Sequence, residues 1–341
     1  MRVNKKSLII TALFFSVAGF SYLFFDILRY ADIPASRGRQ PACPCRTFVT
    51  VHPGQGFRVT AESLNKAGII DYPIKFRLFA YIKGYDKRIK AGEYLFTSAM
   101  TPAEILDMMA KGKVFQHKVT VPEGYNLRQI ASLIAGAGLG TEEDFLKAAS
   151  DPFFIRKKGF DAPTFEGYLF PNTYFFPRNI RATQIISAMV RQFDTVFTPE
   201  WKTRAEALGL SVHETVTLAS IIEKETGNPS ERPLIASVFH NRLKKGMRLE
   251  SDPTVIYGIE NFDGNLTRKH LRTSTAYNTY RIKGLPPGPI ANPGKESLEA
   301  VLYPADTRYL FFVSRKDKTH EFSASLQEHK QAVRKYQLSG H

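Results

Sequence analysis

The polarity pattern first predicts a membrane helix. An uncharged run of 19 residues, 7–25, follows three basic residues and is closed by Asp26. At about 1.5 Å per residue, a helix of this length approaches the roughly 30 Å of hydrocarbon in a bilayer. We therefore expect a transmembrane helix over residues 7–28, with the basic residues 1–6 in the cytoplasm. A secretory signal is the alternative, but the run is longer than a typical signal-peptide core.

An internal repeat follows a Pro- and Arg-rich linker at residues 29–46. Residues 51–69 align without gaps to residues 121–139, at a constant offset of 70. Each copy reads as a short strand, a Gly turn and a helix that stops at Ala-Gly. This unit resembles the LysM module, a small fold that binds wall glycans, and a plain α+β packing unit is the alternative. We assign residues 47–150 to a LysM-like subdomain.

The remaining residues, 151–341, predict a second domain that mixes helices with short strands. Helices are expected from about 181 to 193 and across 201–245, and residues 309–323 read as a hairpin. Capping boxes, in which a Ser or Thr is followed three residues later by Glu, open helices at Thr101 and Ser325. The class is therefore α+β, with an N-terminal transmembrane helix, the LysM-like α+β subdomain and a mixed α/β domain.

One helix of this second domain carries two carboxylates at its end. It begins at the capping box Ser211-Val-His-Glu214 and stops before Gly227. Apolar residues occupy most of its circumference, so we expect it to be buried. Glu223 and Glu225 lie on different faces of its last turn, and each shares its face with apolar residues. At least one carboxylate must then leave water or face a cleft.

A carboxyl group in apolar surroundings has a raised pKa, because burial disfavours its ionised form. Such a group holds a proton near neutral pH and delivers it to a leaving oxygen, which is the requirement for a general acid in glycoside cleavage. Ordinary ion pairs with Arg232, Lys224 or Arg242 are the alternative. Aromatic and polar loops at residues 275–280 and 284–294 follow, and they suit either sugar contacts or simple turns.

Charge and cysteine content add little that is specific. The chain has 47 Lys and Arg against 32 Asp and Glu, a net charge of +15. A positive charge of this size attracts polyanions, and a solvated basic surface with no specific partner is the alternative. No nucleic-acid-binding signature accompanies it, so no nucleic-acid partner is expected. Cys43 and Cys45 lie too close in sequence for an unstrained disulfide, and two thiols make a poor metal site. We expect no metal and no cofactor.

Five sequence blocks together resemble the YceG-like family, the membrane-anchored endolytic murein transglycosylases. LASIIEKET is the first, and Ser251 replaces a Thr that the family often has, which keeps the hydroxyl. The likeness runs from the N-terminal span to the C-terminal helix and accounts for the LysM-like region. The blocks are residues 218–226, 236–243, 251–258, 275–280 and 284–294.

The resemblance implies a carbon–oxygen lyase that cuts the β-1,4 bond between N-acetylmuramic acid and N-acetylglucosamine and leaves 1,6-anhydro ends. It implies that the enzyme limits nascent strand length, works outside the bacterial cytoplasmic membrane on a single span, and partners with peptidoglycan synthases. The first Glu of the I-I-E-K-E-T block, Glu223, is then the catalytic acid.

A lytic transglycosylase of this kind needs only one carboxylate, because the nucleophile belongs to the substrate. Glu225 is then structural or electrostatic, and Asp252 stays open as a second catalytic group. The expected sugar contacts are Glu225, Asn241, Ser251, Asp252, Tyr257, Tyr277, Asn278 and Tyr280. A muramidase acting on the same bond and a non-catalytic wall-binding scaffold are the alternative functions.

Overall fold

The computed structural model describes residues 5–36 and 46–338, which divide into two compact units. Residues 1–117 and 177–179 form the first unit, and residues 118–176 and 180–341 form the second. The sequence placed a boundary near residue 151. The second unit begins earlier because apolar residues after position 118, such as Val119 and Ile130, are buried in its core. Cys43 and Cys45 lie outside the described residues.

The first unit packs helices around one antiparallel strand pair. Its core includes Leu64, Phe76 and Tyr94, and the register pairs Val49 with Tyr94. The capping box predicted at Thr101 is confirmed. The elements are α1 (Lys5–Ala31), β1 (Arg46–Val51), α2 (Phe57–Lys66), α3 (Pro73–Ile82), β2 (Gly92–Thr97) and α4 (Pro102–Lys111).

Helix α1 contains the predicted membrane span. The segment Ile9–Ala31 is long and apolar enough to cross a membrane, and its most apolar part is not buried against other described residues. Its last turns behave differently, because Ile27 and Ala31 are buried in the core of the first unit. The helix is therefore free along most of its length and fixed at its C-terminal end.

The second unit is mainly helical, with two short strand pairs. Residues 117–120 pair with residues 173–176, and residues 311–314 pair antiparallel with residues 320–323, which confirms the predicted hairpin. A 3₁₀ turn (Pro229–Glu231) precedes the helix that begins at Arg232, and a π-helical turn (Arg334–Leu338) follows the helix that ends at Val333. The elements are β3 (His117–Thr120), α5 (Leu127–Gly136), α6 (Glu142–Ala149), α7 (Pro152–Lys157), β4 (Thr173–Phe176), α8 (Ala182–Val196), α9 (Pro199–Ala207), α10 (Val212–Glu225), α11 (Arg232–Lys244), α12 (Asp252–Tyr257), α13 (Arg268–Arg272), α14 (Lys295–Leu302), β5 (Phe311–Ser314), β6 (His320–Ser323) and α15 (Leu326–Val333).

The internal repeat appears as the same local structure, once in each unit. Helix α2 of the first copy and α5 of the second begin and end at positions 70 apart. The turn glycines Gly54 and Gly124 have φ of 77° and 74°, and the stop glycines Gly68 and Gly138 have φ of 71° and 69°. Since this left-handed region favours glycine, the matched glycines explain why the repeat is visible in the sequence. Glycan binding by these copies stays a prediction.

Candidate functional site

Helix α10 holds the two carboxylates in place because most of it is buried. Every residue from Thr215 to Ile222 is buried, as its apolar circumference predicted. Its start is fixed by Ser211, whose hydroxyl accepts a hydrogen bond from the Glu214 N–H at 3.1 Å. Within the helix, the Ser220 hydroxyl oxygen accepts a 3.0 Å hydrogen bond from the N–H of Ile290 in the Pro-rich loop. The last turn therefore projects from a rigid base.

Glu223 faces the start of α14. Its Oε2 accepts hydrogen bonds from the Gly294 N–H at 3.0 Å and from the Ser297 hydroxyl at 2.7 Å. Its Oε1 lies 3.4 Å from Nη2 of Arg232, and only 7% of its side chain is exposed. A helix N-terminus, a hydroxyl donor and a guanidinium all stabilise a negative charge. The carboxylate of Glu223 is thus held in place by polar contacts with Gly294, Ser297 and Arg232.

Arg232 lies close to two further carboxylates in addition to that of Glu223. Its guanidinium, itself buried, forms an ion pair with Glu296 and lies 3.8 Å from Oε2 of Glu123. Burial raises the pKa of Glu123, the charge of Glu223 raises it further, and Arg232 opposes both effects. A side chain at Gly294 would overlap the Glu123 carboxylate. One of the alternatives drawn from the sequence, an ion pair with Arg232, is therefore found for Glu223.

Glu225 lies in a different environment on the other side of the helix. The Ser251 hydroxyl donates a hydrogen bond to its Oε1. Burial raises the pKa of Glu225 to about 7, and Asp252 adds to the rise, while the Ser251 hydrogen bond and the charge of Arg242 act against it. A group with this pKa is protonated in about half of the molecules at neutral pH. Glu225 thus has the property that the sequence argument asked of a general acid.

A cleft of about 440 Å³ opens next to Glu225, within the second unit. Tyr280 lines it and donates a 2.8 Å hydrogen bond to Oδ1 of Asp252. Burial raises the pKa of Tyr280, so that its hydroxyl stays a donor at neutral pH. The other ionisable side chains of the cleft are Arg242, Glu250, Asp252, His320 and His329. An acid, a second carboxylate and aromatic surface thus share one concave site.

Strained backbone and a buried arginine shape the rim of this cleft. Glu250 has a φ of 52°, which is uncommon for a residue with a side chain, and its N–H donates to the Thr279 carbonyl at 3.2 Å. Arg242 donates from Nη1 to the Leu249 carbonyl at 3.0 Å and to Oε2 of Glu250 at 3.2 Å. Outliers of this kind concentrate at functional sites. Neither Arg242 nor Glu250 was among the predicted contact residues.

Tyr257 and Tyr277 form a ring pair near another buried carboxyl group. Their ring centroids are 4.8 Å apart, and the Tyr257 hydroxyl donates to Oε2 of Glu166 at 3.1 Å. Burial raises the pKa of Glu166 to about 7, although hydrogen bonds from Leu127, Tyr257 and Asn292 oppose the rise. Sequence reasoning missed Glu166. The signal in the sequence was a single carboxylate between aromatic residues, in Phe165-Glu-Gly-Tyr168.

Asn241 and Asn278, two of the predicted sugar contacts, form hydrogen bonds to the backbone carbonyls of loops. Asn241 donates from Nδ2 to the carbonyls of Thr307 and Tyr309, at 2.9 and 3.0 Å. Asn278 is fully buried, and its Nδ2 donates to three carbonyls, at His270, Leu271 and Thr273. Its Oδ1 accepts from the Tyr280 N–H at 2.9 Å. These contacts make Asn278 a residue that positions Tyr280, and sugar binding by either asparagine stays a prediction.

Three of the other sequence blocks divide between the two carboxylates of the first block. Glu225 is surrounded by the blocks at residues 251–258 and 275–280, through Ser251, Asp252 and Tyr280. Glu223 is held by Gly294, at the end of the block at residues 284–294. Among residues 5–36 and 46–338, no group of three or more His, Cys, Asp or Glu side chains is placed to hold a metal ion.

Comparison with known proteins identifies the family. A model of the YceG-like family matches residues 49–335. The chain belongs to the YceG-like family. It is 34% identical to an endolytic murein transglycosylase of Bacillus subtilis over 304 residues, 84% of each protein. An endolytic murein transglycosylase of Streptococcus pneumoniae is 29% identical over 317 residues, which is 83% of this chain and 57% of that protein.

A solved structure supports the fold as well. The crystal structure of a YceG-like protein from Listeria monocytogenes is 35% identical in sequence and has a TM-score of 0.59. The match covers 84% of this chain and 98% of that one. The family and the α+β class expected from the sequence are both confirmed.

Proposed function

We propose that this YceG-like chain is a peptidoglycan lytic transglycosylase that cuts the β-1,4 bond between N-acetylmuramic acid and N-acetylglucosamine inside glycan strands. The named relatives support the reaction class, and the cleft beside Glu225 supports its location. The observation that carries the assignment is the buried carboxyl group of Glu225 beside a cleft, with its pKa raised to about 7 by burial, because this chemistry begins with a proton delivered to the glycosidic oxygen. The reaction class is that of a carbon–oxygen lyase.

In the proposed reaction, Glu225 gives its proton to the oxygen that bridges the two sugars, and the bond from that oxygen to C1 of the muramoyl ring breaks. The C6 hydroxyl of the same ring then attacks C1, and its proton passes to the Glu225 carboxylate. The products are a 1,6-anhydro end and a free hydroxyl on the leaving sugar, and no water is consumed. One carboxyl group therefore acts as acid and then as base.

Glu223, which the resemblance marked as the acid, stays the alternative. Its contacts favour a different role, because its carboxylate is held by Arg232, by the Ser297 hydroxyl and by the Gly294 N–H. We propose that Glu223 ties the end of α10 to the start of α14 and so fixes the position of Glu225. Asp252 raises the pKa of Glu225 beside it.

A muramidase is the second candidate, and the position of Asp252 favours it. A hydrolase that retains or inverts stereochemistry uses two carboxyl groups, and Asp252 shares the cleft with Glu225. Water would then take the place of the C6 hydroxyl, and the product would be a reducing end. The two products differ by one water.

For the setting of the enzyme, we propose that α1 crosses the cytoplasmic membrane once, with its N-terminus inside and both units outside. The apolar segment Ile9–Ala31 supports the anchor, and the basic residues before it support the orientation. The net charge of +15 favours strands that bear lactyl and peptide carboxylates. A partnership with synthases and control of nascent strand length stay predictions.

Digestion of purified sacculi by the detergent-solubilised full chain tests the reaction. Mass spectrometry of the released fragments should show 1,6-anhydro ends with wild type and with Glu223→Gln, and none with Glu225→Gln. Reducing ends instead of anhydro ends would establish the muramidase. Loss of product with Glu223→Gln but not with Glu225→Gln would return the acid role to Glu223. Binding to sacculi without cleavage by the wild type would indicate a scaffold.

A further inference from the structure

Helix α3 exposes an unusual amount of apolar surface. Its buried face carries Phe76 and Phe79, which belong to the core of the first unit. On the opposite face Ile74, Leu78 and Tyr81 follow helical spacing and are 77%, 38% and 72% exposed. With Phe57 they line a shallow depression of about 400 Å³. A water-soluble helix would place polar side chains on this second face.

Helix α3 also contacts the predicted membrane helix α1. Lys75, next to Ile74, forms a 2.6 Å ion pair with Asp26 of α1, and Tyr72 makes an edge-to-face ring contact with Tyr30 of α1. Asp26 is also the first charged residue after the apolar run that ends at Phe25. Helix α3 is therefore attached to α1 at the point where the hydrocarbon-spanning part of α1 ends.

The composition around α3 fits a lipid interface. Residues 71–90 contain six basic residues, at positions 75, 77, 83, 87, 88 and 90, against two acidic residues, Asp71 and Asp86. Tyrosine is enriched where a membrane meets water, and Tyr72 and Tyr81 are both exposed here. Basic residues that flank an exposed apolar stripe are typical of a helix that lies in the plane of an anionic membrane surface.

We propose that α3 is a second membrane contact, which inserts Ile74, Leu78 and Tyr81 into the headgroup region of the bilayer that α1 crosses. The partner is the surface of an anionic bilayer, with Arg77 and Lys83 beside its headgroups. The inference rests on the proposed membrane anchoring of α1. Two contacts hold the first unit against the membrane, whereas α1 alone leaves it free to swing.

Fluorescence quenching in the full chain tests this contact. A cysteine-free background (Cys43→Ser, Cys45→Ser) receives one cysteine at Ile74, labelled with an environment-sensitive dye, and is reconstituted into nanodiscs of phosphatidylcholine with phosphatidylglycerol. Glu62→Cys, on the exposed surface of α2, is the control within the same unit. Quenchers on the upper acyl chain should reduce the Ile74 signal at least about twofold more than the Glu62 signal.

A third label, at Phe20→Cys in α1, separates failure of this inference from failure of the anchor. Quenching at position 20 by a deep acyl-chain quencher shows that α1 spans the membrane. Quenching there with an Ile74 signal no stronger than that of Glu62 overturns the second contact. A dye at position 74 that is shielded from water yet unaffected by lipid quenchers also overturns it, because a protein partner or a second copy then covers the face. No quenching at position 20 overturns both the anchor and the inference.

Discussion

The two sides of the last turn of α10 show how one helix places two carboxyl groups in different surroundings. Glu223 meets a guanidinium, a hydroxyl and a helix N-terminus, all of which stabilise its charge. Glu225, two residues later, has one hydroxyl donor and a neighbouring carboxylate, and its pKa rises to about 7. Burial is the largest cause of the raised pKa of Glu225, and Asp252 adds to the rise, while the Ser251 hydroxyl and the charge of Arg242 oppose it.

The comparison predicts the largest effect for Glu225→Gln. A glutamine keeps the size of the side chain but has no proton to deliver, so we expect kcat for strand cleavage to fall on the order of 10²–10⁴-fold. Below about pH 4.5, where wild-type Glu225 is protonated as well, the melting temperature should change little. Turnover of defined glycan strands and a thermal melt measure the two quantities. Glu223→Gln is the matched control. We expect it to lower the melting temperature, and to reduce kcat per folded molecule less than Glu225→Gln does.

Breaking the other side of the comparison should affect stability. Arg232→Met leaves Glu223 buried without its cation, and we expect the free energy of unfolding to fall by about 3 kcal/mol. Arg315→Met is the control, because Arg315 pairs with Glu321 at an exposed position and its loss should be hard to measure. Chemical denaturation of both variants checks this. An Arg232 variant as stable as the Arg315 variant would show that the charge of Glu223 needs no partner.

The pH profile sharpens the comparison at the level of single contacts. Because Glu225 must be protonated, kcat/KM should decline as the pH rises through about 7. Ser251→Ala removes a hydrogen bond that lowers the pKa, so the decline should move to higher pH. Asp252→Asn removes a charge that raises the pKa, so the decline should move to lower pH. If neither substitution moved the decline, the group that titrates in kcat/KM would not be Glu225, and the general acid would lie outside this cleft.

The last expected effect is on stability as a function of pH. The pKa of Glu225 is raised from 4.5 to about 7 on folding, so its contribution is fully present below about 4.5 and is lost as the pH rises through 7. Since one pKa unit corresponds to about 1.4 kcal/mol, we expect Glu225→Gln to remove a decline of about 3 kcal/mol over this range. Glu166 has a similarly raised pKa and should keep part of the decline in the variant. Denaturation at a series of pH values measures both.

Local signals in the sequence predicted much of the fold. Capping boxes at Thr101, Ser211 and Ser325 fix helix starts through contacts three residues apart, and the structure has all three. The repeat could be recognised in the sequence for the same reason, because the local backbone conformation of its turns requires glycine. The boundary between the two units depends on whether Val119 and Ile130 pack in the core of the first or of the second unit. No local pattern in the sequence indicates this.

The candidate site was predicted less completely, because its chemistry depends on distant partners. Helical spacing indicated that Glu223 and Glu225 point in different directions. It did not show that Arg232 and Ser297 meet the first or that Ser251 and Asp252 meet the second. Arg232 is one of three cations that the sequence suggests as ion-pair partners, beside Lys224 and Arg242. Contacts across 74 residues, such as that of Ser297 with Glu223, need the folded chain.

Direct titration of Glu225 tests the central claim. The protonated carboxyl band in infrared difference spectra between wild type and Glu225→Gln reports the protonation state of this one side chain as the pH is varied. We predict a band that is lost with a midpoint pH near 7, as burial beside Asp252 requires. A midpoint near 4.5, the ordinary pKa of glutamate, would show that Glu225 is ionised at neutral pH and would contradict the account.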